Sequence, residues 1–230
     1  MKLKTRKAND VKRTYLNMVI MGESGSGKTW QARTLPDIKR TLFVNVSPYE
    51  DGTLSVSDLD MDVYDIRAEK GLADATQLMN SLKEDTKYDY VFIDSLTALS
   101  KVSMAYAEAM YGEDKNKYKK FEVHNLFLTG FLLDLKTLNK HVILTCLPEV
   151  KTSPDGLEVY TFSLDGKAFA KNLEARVDAV LALAVDKGKR YFLTENTGKW
   201  VSKVRRPLGV DLDTVIDADI GALMTKLGLV

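Results

Sequence analysis

Polar and apolar positions along this chain follow two rhythms. Short, nearly unbroken apolar runs recur at 16–21 (Leu16-Asn17-Met18-Val19-Ile20-Met21), 40–46, 88–95, 141–147 and 177–183, which are the lengths of strands buried on both faces. A brief run at 62–66 and two late runs at 190–194 and 199–204, joined by Glu195-Asn196-Thr197-Gly198, extend the strand set. Between the runs the spacing turns helical. Leu72, Ala75, Leu78, Met79 and Leu82 share one side of a helix over 71–82, and Leu126, Leu128, Phe131, Leu132, Leu135 and Leu138 carry another to about residue 139. Further helices are predicted over 30–35, 96–111, 166–173 and within 217–229. Pro36-Asp37 and Gly112-Glu113-Asp114-Lys115-Asn116 break the pattern, and Ser153-Pro154-Asp155-Gly156 is a turn inside an extended, hairpin-like stretch from 149 to 165.

The first strand runs directly into Gly22-Glu23-Ser24-Gly25-Ser26-Gly27-Lys28-Thr29, a phosphate-binding loop by its spacing of glycine, four residues, glycine, lysine and a hydroxyl. The glycines let backbone N–H groups curl inward toward the phosphates of a nucleotide, Lys28 supplies a point charge for the β and γ phosphates, and the Thr29 hydroxyl completes the coordination of Mg²⁺. A strand before the loop and a helix from Trp30 after it are the context this motif requires, with the positive end of that helix facing the anion.

A second landmark is Tyr88-Asp89-Tyr90-Val91-Phe92-Ile93-Asp94-Ser95, a buried strand ending in one acid. Such a strand delivers a carboxylate beside Thr29 to hold Mg²⁺, and Asp94 fits that role. Ser95 and Thr97 either reach the same water shell or cap the helix that starts there. In an open parallel sheet ligands sit beyond the carboxyl ends of the strands, which brings Ser47-Pro48-Tyr49-Glu50-Asp51-Gly52 close to the nucleotide. Glu50 is the first candidate for activating the attacking water, with Asp51 behind it; decoration of a turn is the competing explanation. Thr145, near the end of its strand, can sense the γ phosphate or simply be a β-branched strand residue.

Composition narrows the picture. The chain has 230 residues and is 45% apolar, enough for one domain over 14–230 behind a basic arm at 1–13 that either touches a polyanion or is solvated. Its 33 basic and 32 acidic residues leave a net charge of +1, so affinity for nucleic acid has to come from local patches. Cys146 is the only cysteine and reads as core, which excludes an internal disulfide; with no apolar run of membrane-spanning length, a cytoplasmic protein is expected. His124 and His141 are too few for a metal cluster.

Local patches do exist. Lys115, Lys117, Lys119 and Lys120 interleave with Tyr118 and Phe121, and the stretch around the turn at 153–156 carries Lys151, Tyr160 and Phe162. Lysines on phosphates with rings free to stack suit single-stranded nucleic acid, while a solvated helix face explains the first cluster as well. Lys199, Lys203, Arg205 and Arg206 crowd the last strand. Arg205, then Arg206, is the candidate to reach a neighbouring subunit's nucleotide, against a merely solvated basic edge.

Together, Gly22 to Thr29, Val91-Phe92-Ile93-Asp94-Ser95-Leu96-Thr97, Val142-Ile143-Leu144-Thr145, Gly166-Lys167-Ala168 and Val177-Asp178-Ala179-Val180 resemble the RecA-type ATPase core. The chain is more closely similar to the small phage ATP-binding proteins of that core that act in single-strand annealing and recombination. The resemblance spans about 15–207 and implies an α/β fold with a mostly parallel central sheet flanked by helices and late antiparallel strands. It also implies ATP and Mg²⁺ as cofactors and a ring or filament of identical subunits with nucleotide between them. Single-stranded DNA would lie on the loops at 111–121 and 149–165, with Lys167 beside them and a single-strand-binding protein as a further partner. The chain departs from that pattern where the catalytic glutamate usually ends the second strand: Ser47 stands there, with Glu50 further on. A motor or small-molecule kinase on the same loop, or a module holding ATP as a structural ligand, are the other readings, although no arginine-rich lid of the kind nucleotide kinases use is present.

Overall fold

The computed structural model describes residues 5, 7, 14–153 and 155–230. The predicted basic arm, Thr5 and Lys7 apart, lies outside them. Strands are β1 Asn17–Met21, β2 Thr41–Ser47, β3 Asp62–Arg67, β4 Tyr90–Asp94, β5 His141–Cys146, β6 Pro148–Thr152, β7 Glu158–Phe162, β8 Ala179–Asp186, β9 Lys189–Leu193, β10 Lys203–Val204 and β11 Val215–Asp217. The α-helices are α1 Ala73–Glu84, α2 Leu96–Tyr111, α3 Lys119–Lys136, α4 Lys167–Arg176 and α5 Ile220–Lys226.

The main sheet has the order β11-β9-β8-β1-β5-β4-β2-β3, parallel from β8 to β3 and antiparallel where β9 and β11 extend it. Strand β5 lies between β1 and β4, so the strand before the glycine loop and the strand ending in Asp94 are next-but-one neighbours. All five residues of β1 and of β4 are buried because both faces of the sheet are covered. Val19, Val91, Ile93, Val142 and Leu144 pack under α1 to α4, while Met18, Ile20, Phe92 and Ile143 face α5 and the segments around Ala32 and Val56. Period-2 alternation thus feeds two separate cores.

Two expectations change. The predicted helix at 30–35 is a six-residue 3-10 helix, Thr29–Thr34, because Leu35 must be extended before Pro36 (ψ 145°) and the chain cannot continue as an α-helix. The two late runs are not paired with one another: β10 pairs with the start of β8 and β9 with its end, while the three-residue β11, too short to give a periodic signal, takes β9's outer edge. Strands β6 and β7 do form the predicted hairpin, separate from the main sheet and directly beyond the end of β5. No helix among the described residues is long and apolar enough to cross a membrane.

Candidate nucleotide site

A cleft of about 580 Å³ opens where β1, β2 and β4 end, lined by the glycine loop with Thr29, Glu50, Gly52, Asp94, Lys101 and Arg190. At its floor the Thr29 hydroxyl donates to Asp94 Oδ2 at 2.6 Å, and the buried Thr145 hydroxyl donates to Asp94 Oδ1. The acid and the hydroxyl marked in the sequence therefore converge, although 65 residues separate them. Thr145 acts here by orienting Asp94 from the intervening strand. Asp94 is 3% exposed, and each of its carboxylate oxygens accepts from a threonine hydroxyl. The peptide bonds Ser47–Pro48 and Asp94–Ser95 are cis.

Lys28 bends back over its own loop, Nζ donating to the carbonyls of Gly22 at 2.8 Å and Glu23 at 2.9 Å. Burial lowers its pKa, opposed by the negative charges of Asp94 and then Glu50. Glu50 sits on the cleft wall three residues past β2, and its Oε1 is buried without a hydrogen-bond partner. This buried oxygen has its acceptor capacity unspent within the protein, and a turn of the Glu50 side chain toward the cleft would bring it to water. Asp51 instead accepts from the Thr53 hydroxyl and then its backbone N–H, which lower its pKa in that order.

Two glycines shape the cavity for different reasons. Gly27 has φ +96°, and a Cβ there would lie 2.5 Å from Arg190 Nε. Gly52 has an ordinary φ of −88°, but a Cβ on it would collide with Asp94 Oδ2 and come within 2.8 Å of Thr29 Cγ2. Space, not backbone freedom, is the requirement at Gly52, and a turn-ending glycine in the sequence carried no sign of it. The Thr29 hydroxyl, the Asp94 carboxylate and the room left by Gly52 fit a small hard cation, since Mg²⁺ is usually bound by one or two protein oxygens plus phosphate and water. Among the described residues there is no group of three or more His, Cys, Asp or Glu able to hold a metal by themselves.

The remaining predicted residues are dispersed. Ser95 caps α2 by accepting from Ala98 N at 3.0 Å, and Thr97 accepts from Leu147 N at 2.9 Å, so both are structural. Cys146 is buried core, its thiol pushed up to about 12 by desolvation. Arg205 lies at the opposite end of β8, where its backbone N–H donates to the Asp178 carbonyl and its guanidinium to the Ala175 carbonyl at 3.0 Å. Arg206 pairs with Glu195 and Asp211. Neither touches its own chain's cleft.

Of the residues proposed for nucleic acid, Lys115 and Lys117 are exposed between α2 and α3, Lys119 pairs with Glu122 and Lys120 with Glu108, while Lys151 lies near Glu149 and Lys167 is exposed at the start of α4. Phe162 is fully buried, which withdraws its ring from any stacking role: it closes β7 onto the core under α2 and α4. Tyr160 is partly buried, stacked on Trp200 at 4.2 Å with Lys199 above its ring.

Arg190 and Lys101 line the cleft without any signal in the sequence, whereas Trp30 and Gly52 lie in segments that the sequence already places beside the nucleotide, though not as wall residues. No curated protein matches the chain. The family described as AAA domain matches residues 14–206, most of the chain and all of the cleft. A glycine loop at the end of β1, a hydroxyl bonded to the acid of β4 and this match over the same residues have one explanation: the chain belongs to the AAA domain family of P-loop ATPases.

Proposed function

We infer that this chain hydrolyses ATP and couples the reaction to binding single-stranded DNA, in recombination or strand annealing, as an assembly of identical subunits. The observation carrying the ATPase part is the Thr29 to Asp94 contact beside the Lys28 loop, with the unpartnered Glu50 oxygen in a residue lining the same cleft. ATP bound here supplies a γ-phosphoryl group and its Mg²⁺ a charge-neutralising centre. Thr29 and Asp94 would hold the ion, the loop amides and Lys28 would hold phosphate oxygens, and Glu50 Oε1 would orient a water and accept its proton. Family membership makes nucleotide binding the general property, and the Glu50 carboxylate on the cleft supports hydrolysis over mere ligand holding.

Support for the DNA part comes from position and composition. The β6–β7 hairpin follows β5 without a break beside Leu147, which lines the cleft, so nucleotide occupancy and hairpin posture share a strand. Lys151, Lys199 and the Tyr160 to Trp200 stack present charge and aromatic surface on that hairpin and the segment paired with it. The test is ATP turnover by the purified full chain, with and without single-stranded DNA, and a gel shift with and without ATP, on the parent and Lys28→Ala. DNA should stimulate turnover, and the variant should stay folded while losing nucleotide. Turnover indifferent to DNA, or no DNA shift with ATP present, would refute the coupling; normal ATP binding by Lys28→Ala would refute the site.

A further inference from the structure

Strand β8 runs past its parallel partner. Ala182 is level with Met21, the last residue of β1, and β8 continues to Asp186 before turning at Lys187 and Gly188 (φ 49° and 80°) into β9. Such a two-residue turn with both φ positive returns the chain tightly. Arg190, paired with Val185 in this overhang, therefore stands beside the glycine loop, and its Nε donates to the Ser26 carbonyl at 2.9 Å. It lines the same cleft as Lys28 and Asp94.

The charge situation gives this position a purpose. The helix following the loop is a six-residue 3-10 segment, so its dipole offers an anion little, and Lys28 is the one cation within the loop itself. Arg190 keeps four guanidinium N–H groups beyond the one engaged on Ser26, in the planar fork that suits phosphate oxygens. We propose that Arg190 is a phosphate-contacting cation supplied in cis, which straps the loop through the Ser26 carbonyl and grips the polyphosphate chain of the nucleotide. This rests on the nucleotide-site reading above and assigns the role expected of a neighbouring subunit's arginine to the chain's own β8–β9 hairpin.

The experiment measures affinity of the full chain for ATP and for inorganic tripolyphosphate by calorimetry, in the parent and in Arg190→Ala, Arg190→Lys and Arg190→Gln. Charge-assisted hydrogen bonds of this kind predict a loss of roughly tenfold or more for both ligands in Arg190→Ala, partial recovery in Arg190→Lys and none in Arg190→Gln. The loss should be unchanged across a hundredfold dilution of protein. Unaltered affinity in Arg190→Ala overturns the proposal. So does a loss confined to ATP, which would mean a contact to base or ribose, and so does full recovery by Gln, which would make the side chain a neutral loop strap only. A loss present only in concentrated protein assigns the contact to another subunit. If the parent binds neither ligand, the nucleotide site itself is wrong and this inference falls with it.

Discussion

His141 offers the sharpest quantitative test of the fold. It opens β5 at the end of the sheet remote from the cleft, 5% exposed, its ring stacked on Tyr90 at 5.2 Å and edge-on to Tyr15 at 5.5 Å. Leu16 N donates to its Nδ1 at 3.2 Å, which requires a lone pair there and places the proton of the neutral ring on Nε2. Burial pushes the ring's pKa down from 6.5 to about 4, opposed weakly by the Asp89 carboxylate. Between those values the unfolded chain binds a proton that the folded chain does not, so stability rises with pH and is lost as pH falls from about 6.5 toward 4. Over roughly two and a half pH units, at about 1.4 kcal/mol each, the loss approaches roughly 3.5 kcal/mol. His124, buried between the Ser103 hydroxyl and the Asp165 carbonyl with its pKa also lowered by desolvation, adds a loss of the same sign. Aspartates such as Asp89, held low by Arg40, act below this window. Denaturant unfolding at several pH values, on the parent and on His141→Asn, whose Oδ1 can still accept from Leu16, should give the variant the flatter slope. Equal slopes, or a His141 ring-proton resonance titrating near 6.5 in the folded protein, would refute the reasoning.

Gly52→Ala should push Asp94 off the Thr29 hydroxyl and weaken Mg²⁺-dependent nucleotide binding at least about tenfold, read as the loss of the melting-temperature gain on adding Mg²⁺ and ATP; an undiminished gain would contradict the close packing at that Cα. Glu50→Gln should bind ATP as the parent does while turnover falls about a hundredfold or more, and equal turnover would remove Glu50 as the base. Phe162→Ala should cost about 3–5 kcal/mol in denaturant unfolding, as emptying a core ring position does; a cost under about 1 kcal/mol would mean that the ring is not core.

Much of this protein is written locally. The periodicity of β1, β4, β5 and α2, the turn at 153–156 and the glycine loop depend on neighbours a few residues apart, because backbone preferences and face-to-face alternation are short-range properties. The loop and Asp94 could even be joined in advance, since a buried strand ending in an acid has few places to go beside such a loop. Sheet order and register decided the rest. Arg190 reaches a loop 164 residues earlier only because β8 overshoots β1 and turns back at Lys187 and Gly188, and nothing near Arg190 in sequence encodes that length difference. Phe162 and Tyr160 look alike as strand aromatics, yet β7 sends one into the core and the other against Trp200. Gly52 resembled a turn ending until three elements met at its Cα. Sequence alone determined the phosphate loop and most of the strands and helices, though not β11 or the 3-10 form of Thr29–Thr34, whereas the company each side chain keeps was settled by how distant strands align, since such contacts form only once the chain has closed on itself.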